Sequence, residues 1–194
     1  MNKNQETKQL HTALYTATAI LAVLAMVFAA LDYCKPNPLC QTLAITFFTT
    51  FYHFFIRFFV STITYLPLRN LQNTDNFWFR QKKFEKKLYA KIRVQKWKKY
   101  MPTYNPPKFD LCRRPPQEIV AETCRAEINH LLIIPLCLFP ISWSLFWGEL
   151  PVFLITSVLS ALAEIPFVII QRYNRPRLQK AAAQIAARQR RLQK

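Results

Sequence analysis

Hydrophobic residues gather into four long stretches, residues 13–31, 39–66, 131–147 and 150–170, and charged residues crowd into the segments between and beyond them. A helix crosses a bilayer with roughly 17–25 mainly apolar residues, satisfying its own backbone hydrogen bonds where no water can. The pattern predicts an all-α, multi-pass membrane protein with about four transmembrane helices. The third stretch is the shortest and holds Pro135 and Pro140, which leaves open a tilted, kinked or re-entrant path. These boundaries divide the chain into an amino-terminal hairpin (1–66), a basic segment (67–130), a second hairpin (131–170) and a basic tail (171–194).

Composition sharpens the picture. Of 194 residues, 52% are hydrophobic and 14% aromatic, which is high for a soluble domain, and a single glycine leaves little material for the tight turns of a small sheet protein. Charge then sets the expected orientation. Fifteen Lys and Arg fall in 67–130 and eight in 171–194, with Lys3 and Lys8 ahead of the first stretch, whereas the short connections at 32–38 and 148–149 hold only Lys35. Positive loops stay on the cytoplasmic side, so both termini and the long basic segment are expected there, in the cell membrane.

A cleaved signal peptide is the alternative for the first stretch, since Lys3 and Lys8 precede an apolar run that closes on Ala29 and Ala30. Its core exceeds the usual length of about 7–15 residues, and its removal would split the basic segments across the membrane, so an uncleaved anchor fits better. The tetrapeptide Leu31-Asp32-Tyr33-Cys34 lacks the small residues that a lipoprotein site places before its cysteine. Cys34 and Cys40 flank the first outer connection, where a disulfide and two free thiols both fit the sequence. Cys112, Cys124 and Cys137 lack the paired spacing of a zinc site.

The net charge of +17, with lysines and aromatics mixed between Arg80 and Lys99, raises nucleic acid as a ligand. Spacing points elsewhere. Phe77, Phe84, Leu88 and Ile92 recur at intervals of four and seven, with Trp78 and Trp97 near the ends and Lys82, Lys83, Lys86, Lys87 and Lys91 between them. That pattern predicts an amphipathic helix on the cytoplasmic interface, its lysines reaching toward anionic lipid headgroups. A proline-rich segment from Met101 to Pro116 follows, and helix resumes near Pro116 or Gln117 to run into the third stretch.

Two polar groups carry the candidate chemistry. E-T-C-R-A-E-I-N-H, from Glu122 to His130, sits just before the third stretch, with Glu127 and His130 three residues apart on one helical face. A carboxylate that orients an imidazole prepares it as a general base for a hydroxyl, although a hydrogen-bonded histidine entering the interface has the same spacing. A lone Glu-x-x-His is half of a di-iron motif without its partner, so no metal is expected. Q-R-Y-N-R-P-R, from Gln171 to Arg177, follows the fourth stretch and can grip phosphate, carboxylate or sugar hydroxyls; a positive-inside anchor explains the arginines alone. Arg57 and Glu164 lie at comparable depth near the ends of their stretches and are expected to pair, as a structural clasp or as part of a pocket, because a lone charge in lipid is costly.

Three blocks, K-I-R-V-Q-K-W-K (Lys91 to Lys98), E-T-C-R-A-E-I-N-H, and E-I-P-F-V-I-I-Q-R-Y-N-R-P-R-L (Glu164 to Leu178), resemble in order the glycosyl-4,4'-diaponeurosporenoate acyltransferase family. That family attaches a fatty acyl group to a glycosylated carotenoid acid in staphyloxanthin-type biosynthesis. The resemblance covers about residues 77 to 178, and the first two stretches match only in being hydrophobic. Leu131 follows the histidine where the family often has an aromatic residue. Met101-Pro102-Thr103 stands where the family has an acidic or glycine-bearing turn. The acceptor is therefore left open between a carotenoid glycoside and another glycolipid.

The resemblance implies transfer of an acyl group to a hydroxyl of a membrane-borne acceptor. His130 would be the base and Glu127 would orient it. Arg125, Arg172 and Arg175 would bind donor phosphates or the oxyanion, and Asn174 would position hydroxyls. Glu122, Arg177 and Trp97 would complete the substrate contacts. Acyl-CoA or an acyl carrier protein would be the donor, with no metal or bound organic cofactor. The competing class is a non-enzymatic membrane scaffold that binds anionic lipid, in which the same polar residues close into buried ion pairs.

Overall fold

The computed structural model of the chain describes residues 3–65, 76–102, 106–112 and 114–192. Residue 66, the start of the basic segment (67–75) and part of the proline-rich loop (103–105 and 113) lie outside the described residues, and so do the expectations that fall on them. Seven α-helices are described: α1 (Lys3–Cys34), α2 (Pro38–Tyr65), α3 (Lys83–Lys91), α4 (Val94–Trp97), α5 (Pro116–Leu138), α6 (Ser144–Trp147) and α7 (Leu150–Leu192). No strand occurs among the described residues. Four helical stretches are long and apolar enough to cross a membrane: Lys8–Cys34, Pro38–Thr64, Pro116–Trp147 and Leu150–Leu192. The protein is an all-α, multi-pass membrane protein.

The chain forms two compact units: one of residues 8–64 and 129–165, the other of 1–7, 65–128 and 166–194. The first holds most of the apolar helix surface. Here α1 turns into α2 through Pro36 and Asn37, where the Asn37 side chain accepts from the Leu39 amide at 2.9 Å and Pro38 takes the first helical position. Two contacts tie α2 to α7 and to the residue just before it, each joining residues 107 apart in sequence: Thr42 Oγ1 donates to Glu149 Oε1 at 3.0 Å, and Arg57 Nε to Glu164 Oε1 at 2.7 Å. The equal offset means that the two helices run in the same direction in register. α5 runs against α2, with Tyr52 donating its hydroxyl to Leu136 O at 3.0 Å and Phe48 packing on Trp143.

A core of Ile56, Val60, Ile133, Cys137 and Ala161 closes this three-helix contact, while Ile20, Val23, Phe55, Phe59, Leu154, Ile155 and Leu159 face outward. An apolar outer surface is what lipid requires, so the inside-out distribution that would be a liability in water is ordinary here. Threonine hydroxyls inside the spans bond back to the preceding turn, as Thr49 does to Ile45 O and Thr64 to Val60 O, and thereby avoid the cost of an unpaired hydroxyl. The chain's single glycine, Gly148, separates α6 from α7 at φ +70° and ψ −148°, a conformation reserved for glycine, and its amide caps Ser144 O at 2.9 Å.

Three features differ from, or extend, what the pattern suggested. In the third stretch α5 continues through Pro135, and the interruption comes after Leu138, where a 3-10 turn (Phe139–Trp143) containing Pro140 leads into α6. The basic tail is helical, forming the second half of α7, because L-Q-K-A-A-A-Q-I-A-A-R is made almost wholly of strong helix formers. The amphipathic segment is broken in two. Arg93 adopts a left-handed conformation at φ 50°, which ends α3 and turns α4 so that Val94 is buried completely. On α3 the buried residues are Glu85 and Tyr89, whereas Phe84 and Leu88 point outward with the lysines.

Candidate active site

In the unit of residues 8–64 and 129–165, three charged or polar side chains from three helices form a chain. His130, on α5, has its Nδ1 2.6 Å from Glu164 Oε2 on α7. The other carboxylate oxygen, Oε1, accepts from Arg57 Nε of α2 at 2.7 Å, with Arg57 Nη2 at 2.6 Å from the same atom. Arg57 also donates to the carbonyls of His53 and Ser160. Glu164 is almost completely buried, with 3% of its side chain exposed against 22% for His130. A buried carboxylate is tolerable only when paired and hydrogen-bonded, and both conditions are met.

The contact orients the ring. A carboxylate can only accept, so the proton between the two groups is assigned to His130 Nδ1, and Nε2 is the ring nitrogen not engaged by Glu164. Depth in the membrane pairs Glu164 with Arg57, and three-residue spacing gives the orienting role to Glu127. The structure brings Arg57 and Glu164 together and also sets Glu164 against the imidazole. The His53 ring nitrogens and the Ser157 hydroxyl are further polar groups buried in this unit, without hydrogen-bond partners.

The second unit contains a different knot of charge, centred on Glu127, whose side chain is fully buried. Its Oε1 accepts from Arg172 Nη1 at 2.6 Å, and its Oε2 accepts from Arg175 Nη2. Arg175 is 1% exposed and directs its remaining donors to Thr123 Oγ1 at 3.2 Å, Thr123 O at 3.1 Å and Phe79 O at 3.2 Å, while stacking on the Phe79 ring. Arg172 forks to Glu85 Oε1 at 2.9 Å and to Trp78 O at 3.3 Å. These contacts draw α3, α5, α7 and the turn Phe77–Phe79 onto one pair of guanidinium groups. Burial, followed by the Glu85 carboxylate, pushes the neighbouring Tyr89 hydroxyl up to about 12, so it stays protonated.

The other sequence-predicted residues lie in the same unit. Asn174 accepts from Lys98 Nζ at 2.9 Å, and Arg177 stacks on Tyr173. Glu122 pairs with Arg125 and lies 3.7 Å from Arg114. Trp97 donates its indole N–H to Ile92 O at 3.0 Å. Glu85 and Lys98 join these groups without being marked by the sequence motifs as site residues. Glu85 had a signal, being the lone acid between Asp75 and Asp110 in a lysine-rich run; Lys98 had none beyond membership in the first block. All five cysteines are free thiols. Among the described residues, no group of three or more His, Cys, Asp and Glu side chains could hold a metal ion.

Fold and polar groups together define a multi-pass helical membrane protein with a carboxylate-held histidine among its apolar helices. The family model for CrtO, glycosyl-4,4'-diaponeurosporenoate acyltransferase, matches residues 75–184, more than half of the chain, and the chain belongs to that family. No curated protein and no solved structure matches the chain.

Proposed function

We propose that the protein is a membrane-embedded acyltransferase in which His130, held by Glu164, is the general base. The observation that carries this reading is the His130 Nδ1 contact to Glu164, made with the carboxylate clamped from its other side by Arg57. A base must be held in one tautomer and orientation to be useful, and this relay does both. His130 Nε2 takes the proton of an acceptor hydroxyl as that oxygen attacks the carbonyl carbon of an acyl thioester. The tetrahedral intermediate collapses by breaking the C–S bond, and the departing thiolate takes the proton back from the imidazolium. Atoms and charge balance with no protein nucleophile and no cofactor.

The acceptor is a glycosylated carotenoid or another glycolipid, and the donor is acyl-CoA or an acyl carrier protein. The family supports the acyl transfer, and the apolar helices supply a medium for the acyl chain and the acceptor's tail. The distribution of Lys and Arg supports placing both termini and the long basic segment in the cytoplasm. The parallel register of α2 and α7 suits that topology, since both would enter from the outer side.

Glu127, Arg172 and Arg175 serve as a clamp that holds α3, α5 and α7 together. Their mutual pairing is also what a scaffold would show, so the scaffold reading rests on that knot and the enzyme reading on His130. Lipid extracts from cells expressing wild type, His130→Ala and an empty vector, at matched membrane levels, separate the two. An acylated glycolipid or pigment made by wild type alone is the expected result. Equal product from wild type and His130→Ala removes His130 as the base, and no product in a host supplied with acceptor favours the scaffold.

A further inference from the structure

Lys98 and Arg177 meet over one aromatic ring. Lys98 Nζ lies 4.9 Å from the centre of the Tyr173 ring and donates to Asn174 Oδ1 at 2.9 Å; the Arg177 guanidinium carbon lies 4.0 Å from the same ring centre. Two cations over one ring sit within about one Debye length and repel each other, which the ring's π face offsets only in part.

Their neighbours on α7 are treated differently. Arg172 and Arg175 are neutralised by Glu85 and Glu127, and Glu122 is taken up by Arg125. Among the described residues, no carboxylate pairs with Lys98 or Arg177. Burial, followed by Arg177, holds the Lys98 ammonium below the ordinary lysine range, so the two cations feel each other. Beside Lys98 in the chain, Lys96 and Lys99 line a shallow cleft of about 460 Å³ with Trp97 and Tyr100, so further positive charge borders the same segment.

We propose that Lys98 and Arg177, with Asn174 steering the lysine, form a binding site for a phosphate mono- or diester. An ammonium and a guanidinium, each within 5 Å of the same ring centre, offer a point charge and a planar fork, and one phosphate accepting from both would relieve their repulsion. The site adds Lys98 to the substrate contacts and lies outside the Glu127 knot. Two molecules carry this chemistry: a phosphorylated acyl donor and an anionic phospholipid headgroup. Only the first of these rests on the acyltransferase reading.

The test uses the full chain in nanodiscs, comparing wild type, Lys98→Gln, Arg177→Gln and Lys98→Arg. Coenzyme A binding is titrated in phosphatidylcholine discs, and native mass spectrometry follows phosphatidylglycerol retained from mixed-lipid discs. A donor site predicts that coenzyme A affinity falls roughly tenfold or more in each glutamine variant and survives in Lys98→Arg. A headgroup site predicts that phosphatidylglycerol retention falls while coenzyme A binding is unchanged. The proposal is overturned if both ligands bind the folded glutamine variants as they bind wild type, or if wild type holds neither. Arg177 is exposed, so its substitution leaves the packing intact and carries the test if Lys98→Gln does not fold. Neither readout requires turnover, so failure here leaves acyl transfer standing, and loss of acyl transfer leaves this site standing.

Discussion

Glu164 and Glu127 are both buried acids on helices of the matched family region, yet they hold different partners. Glu164 divides its two oxygens between an imidazole and a guanidinium, whereas Glu127 gives both to arginines. The variants should separate accordingly. Glu164→Gln removes the charge that fixes His130, and acyl transfer per folded molecule is expected to fall by about 10²–10⁴-fold, measured in membranes normalised for folded protein. Glu127→Gln leaves Arg175 without a counter-charge and Arg172 with Glu85 alone, and is expected to cost about 3–5 kcal/mol of stability, read as a lowered thermal midpoint in detergent. Its activity per folded molecule should stay near wild type. A Glu127→Gln protein that is stable but inactive would return the orienting role to Glu127.

At the scale of elements, apolar runs and proline positions made the spans readable, because a bilayer imposes length and hydropathy directly on sequence. The break between α3 and α4 was not readable. Intervals of four and seven describe one continuous helix, and nothing local announces that Arg93 will turn left-handed so that Val94 can be buried. That choice is tertiary. A left-handed non-glycine residue costs about 1–2 kcal/mol, more when β-branched. Arg93 already bears that cost, so Arg93→Val is expected to lower stability only by the β-branched excess, on the order of 1 kcal/mol, and Arg93→Gly to leave it within about 1 kcal/mol of wild type, as denaturation of the purified protein would show. Glu127 and His130 illustrate the same limit at the site: three-residue spacing says that two side chains can meet, but which carboxylate reaches the imidazole depends on how α7 packs.

For the whole molecule, the charge distribution gives an orientation that the native cysteines can test. Cys34 and Cys112 are both exposed, the first in the proposed outer connection and the second in the proposed cytoplasmic segment. A membrane-impermeant maleimide is expected to label Cys34 in intact cells and Cys112 only after permeabilisation, with single-cysteine variants assigning the signal. The reverse pattern would invert the topology.

The central claim is that His130, held by Glu164, moves an acyl group from a thioester to a membrane-borne hydroxyl. The most direct test is a reconstituted assay with a labelled acyl thioester and a glycosylated lipid acceptor, run with wild type, His130→Ala, Glu164→Gln and Glu127→Gln at equal folded protein. Labelled ester should form with wild type and Glu127→Gln and fall steeply with His130→Ala and Glu164→Gln. Equal ester from His130→Ala and wild type would contradict the mechanism.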